Sequence, residues 1–278
     1  MNLKILSLVI IGVCILLPDV CYAFLSKDVH LLNMQNGLAD NTVSAVYKDK
    51  EGFIWFGTRN GLSRYDGRRI TNFERSRSYP SISNLKEVFD GVLAFVDNGV
   101  FSAFDLKKER FLSVVSSSGQ GIPSRGMLQR NDSLVWVISG SELHLMKRCA
   151  SKEGELRLRV QEKYTGWNNQ DNLLVAITYS SDKKSICLID EKGRIILLDA
   201  TNLNSFRVID LGRTGSLSVN SVLYDDGRIW ISTIAHCVIY YNERTGKIKQ
   251  LTYHVAPVSD RLSHTDVFGV IRLSENKY

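Results

Sequence analysis

The feature that most constrains this chain is a unit that recurs along it. Residues 41–73, "NTVSAVYKDKEGFIWFGTRNGLSRYDGRRITNF", run as an alternating apolar strand, an Asp and Gly turn, a strand centred on Trp55, an Asn-Gly turn and a third strand closing on Tyr65 and Asp66. The pattern returns in "ISNLKEVFDGVLAFVDNGVFSAFDLKKERFLSV", centred on Leu93, and in "IPSRGMLQRNDSLVWVISGSELHLMKR", centred on Trp136. A fourth copy, "NLLVAITYSSDKKSICLIDEKGRIILLDATNLNSFRVIDL", has Cys187 at its centre, and a fifth, "LSVNSVLYDDGRIWISTIAHCVIYYNERTGKIKQL", has Trp230. Consecutive centres lie 38, 43, 51 and 43 residues apart. Such a period holds four short strands and their turns, the size of one blade of a propeller.

Within each unit the apolar residues alternate with period two, as in "SVNSVLY" and "RIWIS", and no helical period is present. The expected fold class is therefore all-β, a β-propeller of four-stranded blades at residues 37–78, 79–118, 119–165, 172–212 and 216–255. A large residue at each centre suits a second strand wedged between neighbouring sheets. The turn glycines suit two-residue hairpins that need positive φ. Tyr65, Phe104 and Tyr240 are expected to pack the third strand against the next blade. The segment "LSHTDVFGVIRLSENKY", residues 262–278, aligns Val267 with Val43, Val270 with Val46 and Glu275 with Glu51, as the start of a sixth blade. About five blades and a fraction leave a ring incomplete, so the chain reads as a fragment of a longer one.

Met1 to Ala23 begins with Lys4, continues through an apolar run from Ile5 to Leu17, breaks at Pro18 and ends in "CYA". This is the layout of a signal peptide cleaved after Ala23, and the run is short of the roughly 20 residues a spanning helix needs. The mature chain is expected to be exported and periplasmic, with no membrane span of its own. It keeps the net charge of +6, because Lys4 and Asp19 leave together. Export and scattered arginines argue against a nucleic-acid partner. Of the cysteines, Cys149, Cys187 and Cys237 remain, and their odd number, wide spacing and apolar neighbours read as buried free thiols.

The stretch "GLADNTVSAVYKDKEGFIWFGTRNGLSRYDG" resembles the two-component regulator propeller repeat. The resemblance rests on Gly37, Asp49, Gly52, Trp55, Gly57, Thr58, Gly61, Leu62, Arg64, Tyr65 and Asp66, and again on Asp226, Gly227, Ile229, Trp230, Ile231 and Thr233. It implies the periplasmic sensor region of a hybrid two-component system of the kind found in Bacteroides. With that come an oligosaccharide ligand, a homodimer in the full-length sensor, and a membrane helix and kinase elsewhere in the whole protein. An exported interaction scaffold and a propeller-type lyase or glycosidase are the alternatives.

No enzyme is expected, nor a cofactor or metal. His30, His144, His236, His254 and His264 are scattered and read as solvated loop histidines. Sugars are held by aromatic stacking and planar hydrogen-bonding groups. The segment "YTGWNNQDN" between the third and fourth units places Trp167, Asn168 and Asn169 outside any strand pattern, and these are the candidate ligand contacts. Arg59, in the turn after the Trp55 strand, is expected on the same end of the ring. Arg64, Arg68, Arg69, Arg75 and Arg77 read as solvated positions.

Overall fold

A computed structural model describes residues 31–74, 82–167, 172–212, 215–234, 238–251, 267, 269, 270 and 272. The signal-peptide segment lies outside them. One 3-10 turn, Met34–Asn36, precedes twenty strands. Four form the first antiparallel meander: β1 (Val43–Lys48), β2 (Ile54–Thr58), β3 (Gly61–Tyr65) and β4 (Ile70–Glu74). The fourth unit is β13 (Leu174–Tyr179), β14 (Ser185–Asp190), β15 (Arg194–Asp199) and β16 (Phe206–Asp210). The fifth is β17 (Val219–Asp225), β18 (Arg228–Thr233), β19 (Val238–Asn242) and β20 (Lys247–Leu251). No helix among the described residues is long and apolar enough to cross a membrane.

The second and third units are four-stranded meanders as well, joined to each other along their outer edges. Here β5 (Ile82–Phe89), β6 (Val92–Asp97), β7 (Val100–Asp105) and β8 (Arg110–Ser116) join β9 (Gly126–Asn131), β10 (Leu134–Ser139), β11 (Glu142–Cys149) and β12 (Glu155–Tyr164) in one eight-stranded sheet. The joint is a parallel pairing of Glu155–Leu158 with Ser113–Ser116 at the outer rim. Its cause is local. In "ELRLRV" the leucines alternate with charges, so Leu156 and Leu158 become 1% and 0% exposed against Leu112 and Val114, while the intervening side chains face outward.

The first strands β1, β5, β9, β13 and β17 touch in sequence order, so the units radiate from a common axis. Four apolar clusters fill the wedges between successive units. Trp55, Trp136 and Cys187, each on a second strand, are buried in the wedge with the following unit. Burying such a side chain contributes about 1.5–3 kcal/mol, which is why a large residue recurs at that position. Of the third-strand aromatics, Phe104 points the other way, whereas Tyr240 lies on the face of its sheet turned away from the fourth unit. Phe104 packs back on the preceding unit, 5.5 Å from Trp55 and 4.8 Å from Phe73 between ring centroids, while Tyr240 stacks within its own unit on Trp230 at 4.5 Å. The cause is parity: paired residues Leu93 and Phe104 face one side of their sheet, toward the first unit.

One close approach and one set of hydrogen bonds account for Gly57 and Asp49 in the repeat. A Cβ on Gly57 would stand 2.5 Å from Ile82 Cγ2 of the next unit, so only glycine lets β2 and β5 meet. Asp49 Oδ1 accepts the backbone N–H groups of Glu51 and Phe53, and its Oδ2 accepts Trp55 Nε1 at 2.8 Å, tying the first turn to the buried indole. Of the segment expected to start a sixth blade, the described residues lie beside β17. The Val267 N–H donates to Thr233 O at 3.0 Å, and Arg272 Nη1 stands 2.9 Å from Asp225.

Candidate functional site

Connections between second and third strands, and between one unit and the next, emerge at one end of the ring. Arg59 sits there, exposed, in the β2–β3 turn. Trp167 occupies the connection from the third unit to the fourth, but its side chain folds inward. The residue is 4% exposed, belongs to the cluster between these units, and meets Phe206 edge-on at 6.2 Å. Its indole Nε1 is buried and has no hydrogen-bond partner among the described residues. An indole so placed anchors its loop and offers little face for stacking on a sugar. Asn168 and Asn169 lie outside the described residues. Neither Trp167 nor Arg59 lines any of the cavities that follow.

The larger cavities open at the opposite end, where turns join first to second strands and third to fourth. Between the first and second units a cleft of about 500 Å³ is lined by Asp49, Lys50, Phe53, Arg64, Glu87 and Lys107 among others. Arg64 is not a solvated arginine. Its guanidinium lies 4.9 Å above the Phe53 ring and pairs with Glu109 of the second unit at 2.6 Å, strapping the two sheets together. Lys50 reaches Glu87 at 3.2 Å, and that hydrogen bond raises the lysine above its ordinary pKa. Arg68 and Arg69 are exposed in the β3–β4 turn, and Arg75 and Arg77 lie outside the described residues.

Between the fourth and fifth units a second cleft of about 710 Å³ is lined by Ser180, Asp182, Tyr224, Asp226, Arg228 and Arg244, among others. Its polar groups are held in three local sets of hydrogen bonds and ion pairs. The Tyr224 hydroxyl donates to Glu243 at 2.5 Å, and Glu243 also pairs with Arg207. Burial, then the Glu243 bond, pushes the Tyr224 phenol well above its ordinary range, so it stays a donor. Asp182 accepts from Ser180 Oγ at 2.6 Å and from the Lys184 N–H, which hold its carboxyl below the usual range. Asp226 pairs with Arg244 at 2.5 Å and Arg228 at 3.6 Å. Fixed carboxylates and guanidiniums of this kind match the hydroxyl pairs of a sugar ring. Sequence reasoning missed this cleft because its residues come from turns of two units, and only the ring brings them together.

Among the described residues no group of three His, Cys, Asp or Glu side chains could hold a metal. His144 is not a loop histidine but lies in β11, 8% exposed, with Nε2 2.6 Å from Glu142. The other four histidines lie outside the described residues. Cys187 is buried and free, and burial pushes its thiol pKa up; Cys149 is free but only half-buried, and Cys237 lies outside the described residues.

Five radial units around one axis, with cores in the wedges and clefts at an end, define a β-propeller. Residues 37–60 match the two component regulator propeller model, the repeat that the sequence resembles there. Among solved structures, the chain is similar to the extracellular domain of the hybrid two component system BT3049 from B. thetaiotaomicron, at 18% identity and a TM-score of 0.55 over 79% of this chain and 31% of that one. It is similar also to the extracellular domain of the hybrid two component system BT4673 from the same organism, at 20% identity and a TM-score of 0.52 over 75% and 27% of the two chains. Virginiamycin B lyase from Staphylococcus aureus shares the fold at 10% identity and a TM-score of 0.54, over 77% and 71%. The chain thus spans under a third of the length of the two sensor domains. No curated protein matches it in sequence.

Proposed function

We propose that this chain is the ligand-recognising propeller of an exported two-component regulatory protein, that it acts by binding and not by turnover, and that its ligand is an oligosaccharide. The observation that supports the reading is the two component regulator propeller repeat at residues 37–60, in a fold shared with extracellular domains of two hybrid two component systems. The cleft between the fourth and fifth units adds chemical support. It presents Asp182, Asp226, Arg228 and Arg244 from both units, so a bridging glycan would couple ligand binding to the angle between two blades. Arg59 and Trp167, at the other end, remain the alternative contact region, with Asn168 and Asn169 next to Trp167 in sequence.

Calorimetric titration of the full chain with a panel of neutral and acidic oligosaccharides tests the ligand class. Saturable binding without product formation is expected, with affinity reduced about tenfold or more by Arg244→Ala, which removes a charged hydrogen-bond donor. Chain cleavage of a glycan during the titration would overturn the reading in favour of a lyase or glycosidase. A panel with no binder at all would favour a protein-binding scaffold. Export is tested by the mass of the protein recovered from the periplasm, which should begin at Phe24.

A further inference from the structure

The axis of the ring holds a cavity of about 220 Å³, distinct from both clefts and from the loops around Arg59 and Trp167. It is walled by the first strands of the first, second, fourth and fifth units. These strands share an irregularity: pairing with the second strand shifts between Val43 and Ala45, between Ser83 and Lys86, between Leu174 and Ala176, and between Val219 and Ser221. A bulge puts one extra residue into a strand and re-aims its side chain. The extra residues lie at Ser44, within the stretch holding Asn84, at Val175 and at Asn220, and these four line the axial cavity. In the second unit Asn84 takes φ +53°, a left-handed conformation that few non-glycine residues adopt.

The polar side chains of this wall are nearly all engaged. Ser44 donates to Ile82 O, Asn84 to Arg125 O at 3.2 Å and Asn220 to Val267 O at 3.0 Å, and Ser221 shares a hydrogen bond with Ser232 at 2.7 Å. Lys86 is the exception. Among the described residues it is the one cationic side chain on this wall, it is part-buried, and no carboxylate lines the cavity. Among the described residues the Lys86 side chain has no hydrogen-bond or ion-pair partner, and burial drives its ammonium below the ordinary lysine range. A charge partly withdrawn from water without a partner is costly, and a ligand of opposite charge would offset that cost.

We propose that the axial cavity is a binding site for a small oxyanion, a carboxylate, sulfate or phosphate group, held by the Lys86 ammonium inside a wall shaped by the first-strand bulges. The volume is that of about seven waters of liquid, enough for such a group with part of its hydration. This site is independent of the oligosaccharide reading, since it uses none of the cleft residues.

The test is titration of the full chain, at constant ionic strength, with acetate, sulfate and inorganic phosphate, followed by thermal unfolding and by the rate at which Lys86 is acylated by an amine-directed reagent, read by mass spectrometry. At least one anion should raise the melting temperature and slow acylation of Lys86 several-fold while leaving exposed lysines such as Lys184 unaffected. Lys86→Met should remove the anion-dependent rise in melting temperature, and Lys86→Arg should keep it. Which anion acts separates a planar carboxylate site from a tetrahedral oxyanion site. An acylation rate at Lys86 indifferent to all three anions overturns the proposal, as does an anion-dependent rise that survives in Lys86→Met. The acylation readout uses the unaltered protein, so it stands even where a variant fails to fold. The oligosaccharide titration can fail while this one succeeds, which keeps the two readings apart.

Discussion

At the scale of single residues, the repeat is held by contacts that its composition hints at but does not reveal. Asp49 reads as a turn residue, yet its second oxygen holds the indole of Trp55. Asp49→Ala should therefore cost about 1–3 kcal/mol, because it leaves a buried N–H without a partner. Urea unfolding checks this, and a loss under about 0.5 kcal/mol would mean the indole finds another acceptor. Gly57 reads as one more loop-prone glycine, yet it marks where two units touch. Gly57→Ala should cost about 1–3 kcal/mol by overpacking against Ile82. Combined with Ile82→Ala, the two changes should cost less than their sum. The burial of Trp55 and Trp136 was legible from their spacing. The inward fold of Trp167 was not, because a tryptophan among amides carries no periodic signal to say which way its ring turns.

At the scale of strands, alternation identified the sheets, since period two in a run such as "RIWIS" admits little else. What it could not show was partnership across units. The parallel joint of β8 and β12 depends on two outer strands meeting at the rim, and strand pairing over 40 residues leaves no local mark. The joint is flanked by Glu153, which pairs with Lys108 at 2.8 Å and Arg110 at 3.0 Å. These partners, Lys108 foremost, hold the Glu153 carboxyl below its ordinary value of 4.5. Its contribution is thus complete above about pH 4.5 and is lost as pH falls through the lower folded value. Melting temperature should drop over that acid window, and Glu153→Gln should make the drop shallower while lowering the plateau slightly. An unchanged acid profile in the variant would mean that the pair is fully screened by solvent.

For the molecule as a whole, the sequence period announced a ring of blades, and the clefts and the axial cavity are properties of that ring. No single copy of the repeat contains them: each cleft takes turns from two units, and the cavity takes first strands from four. Hydrogen exchange should show the same organisation. Amides of β6, β7, β10 and β11 should be protected together, as one cooperative block, and Leu158→Ala should loosen both halves of that block at once. Loosening confined to the third unit would mean the rim joint is passive. The joint also sets where the ring can flex. A wedge closed at its outer edge cannot widen, so the second and third blades move as a rigid plate. Any change of shape on ligand binding must then fall on the remaining wedges, two of which carry the open clefts. A stitch of four residue pairs at the rim thereby decides which seams of the ring are left to act as hinges.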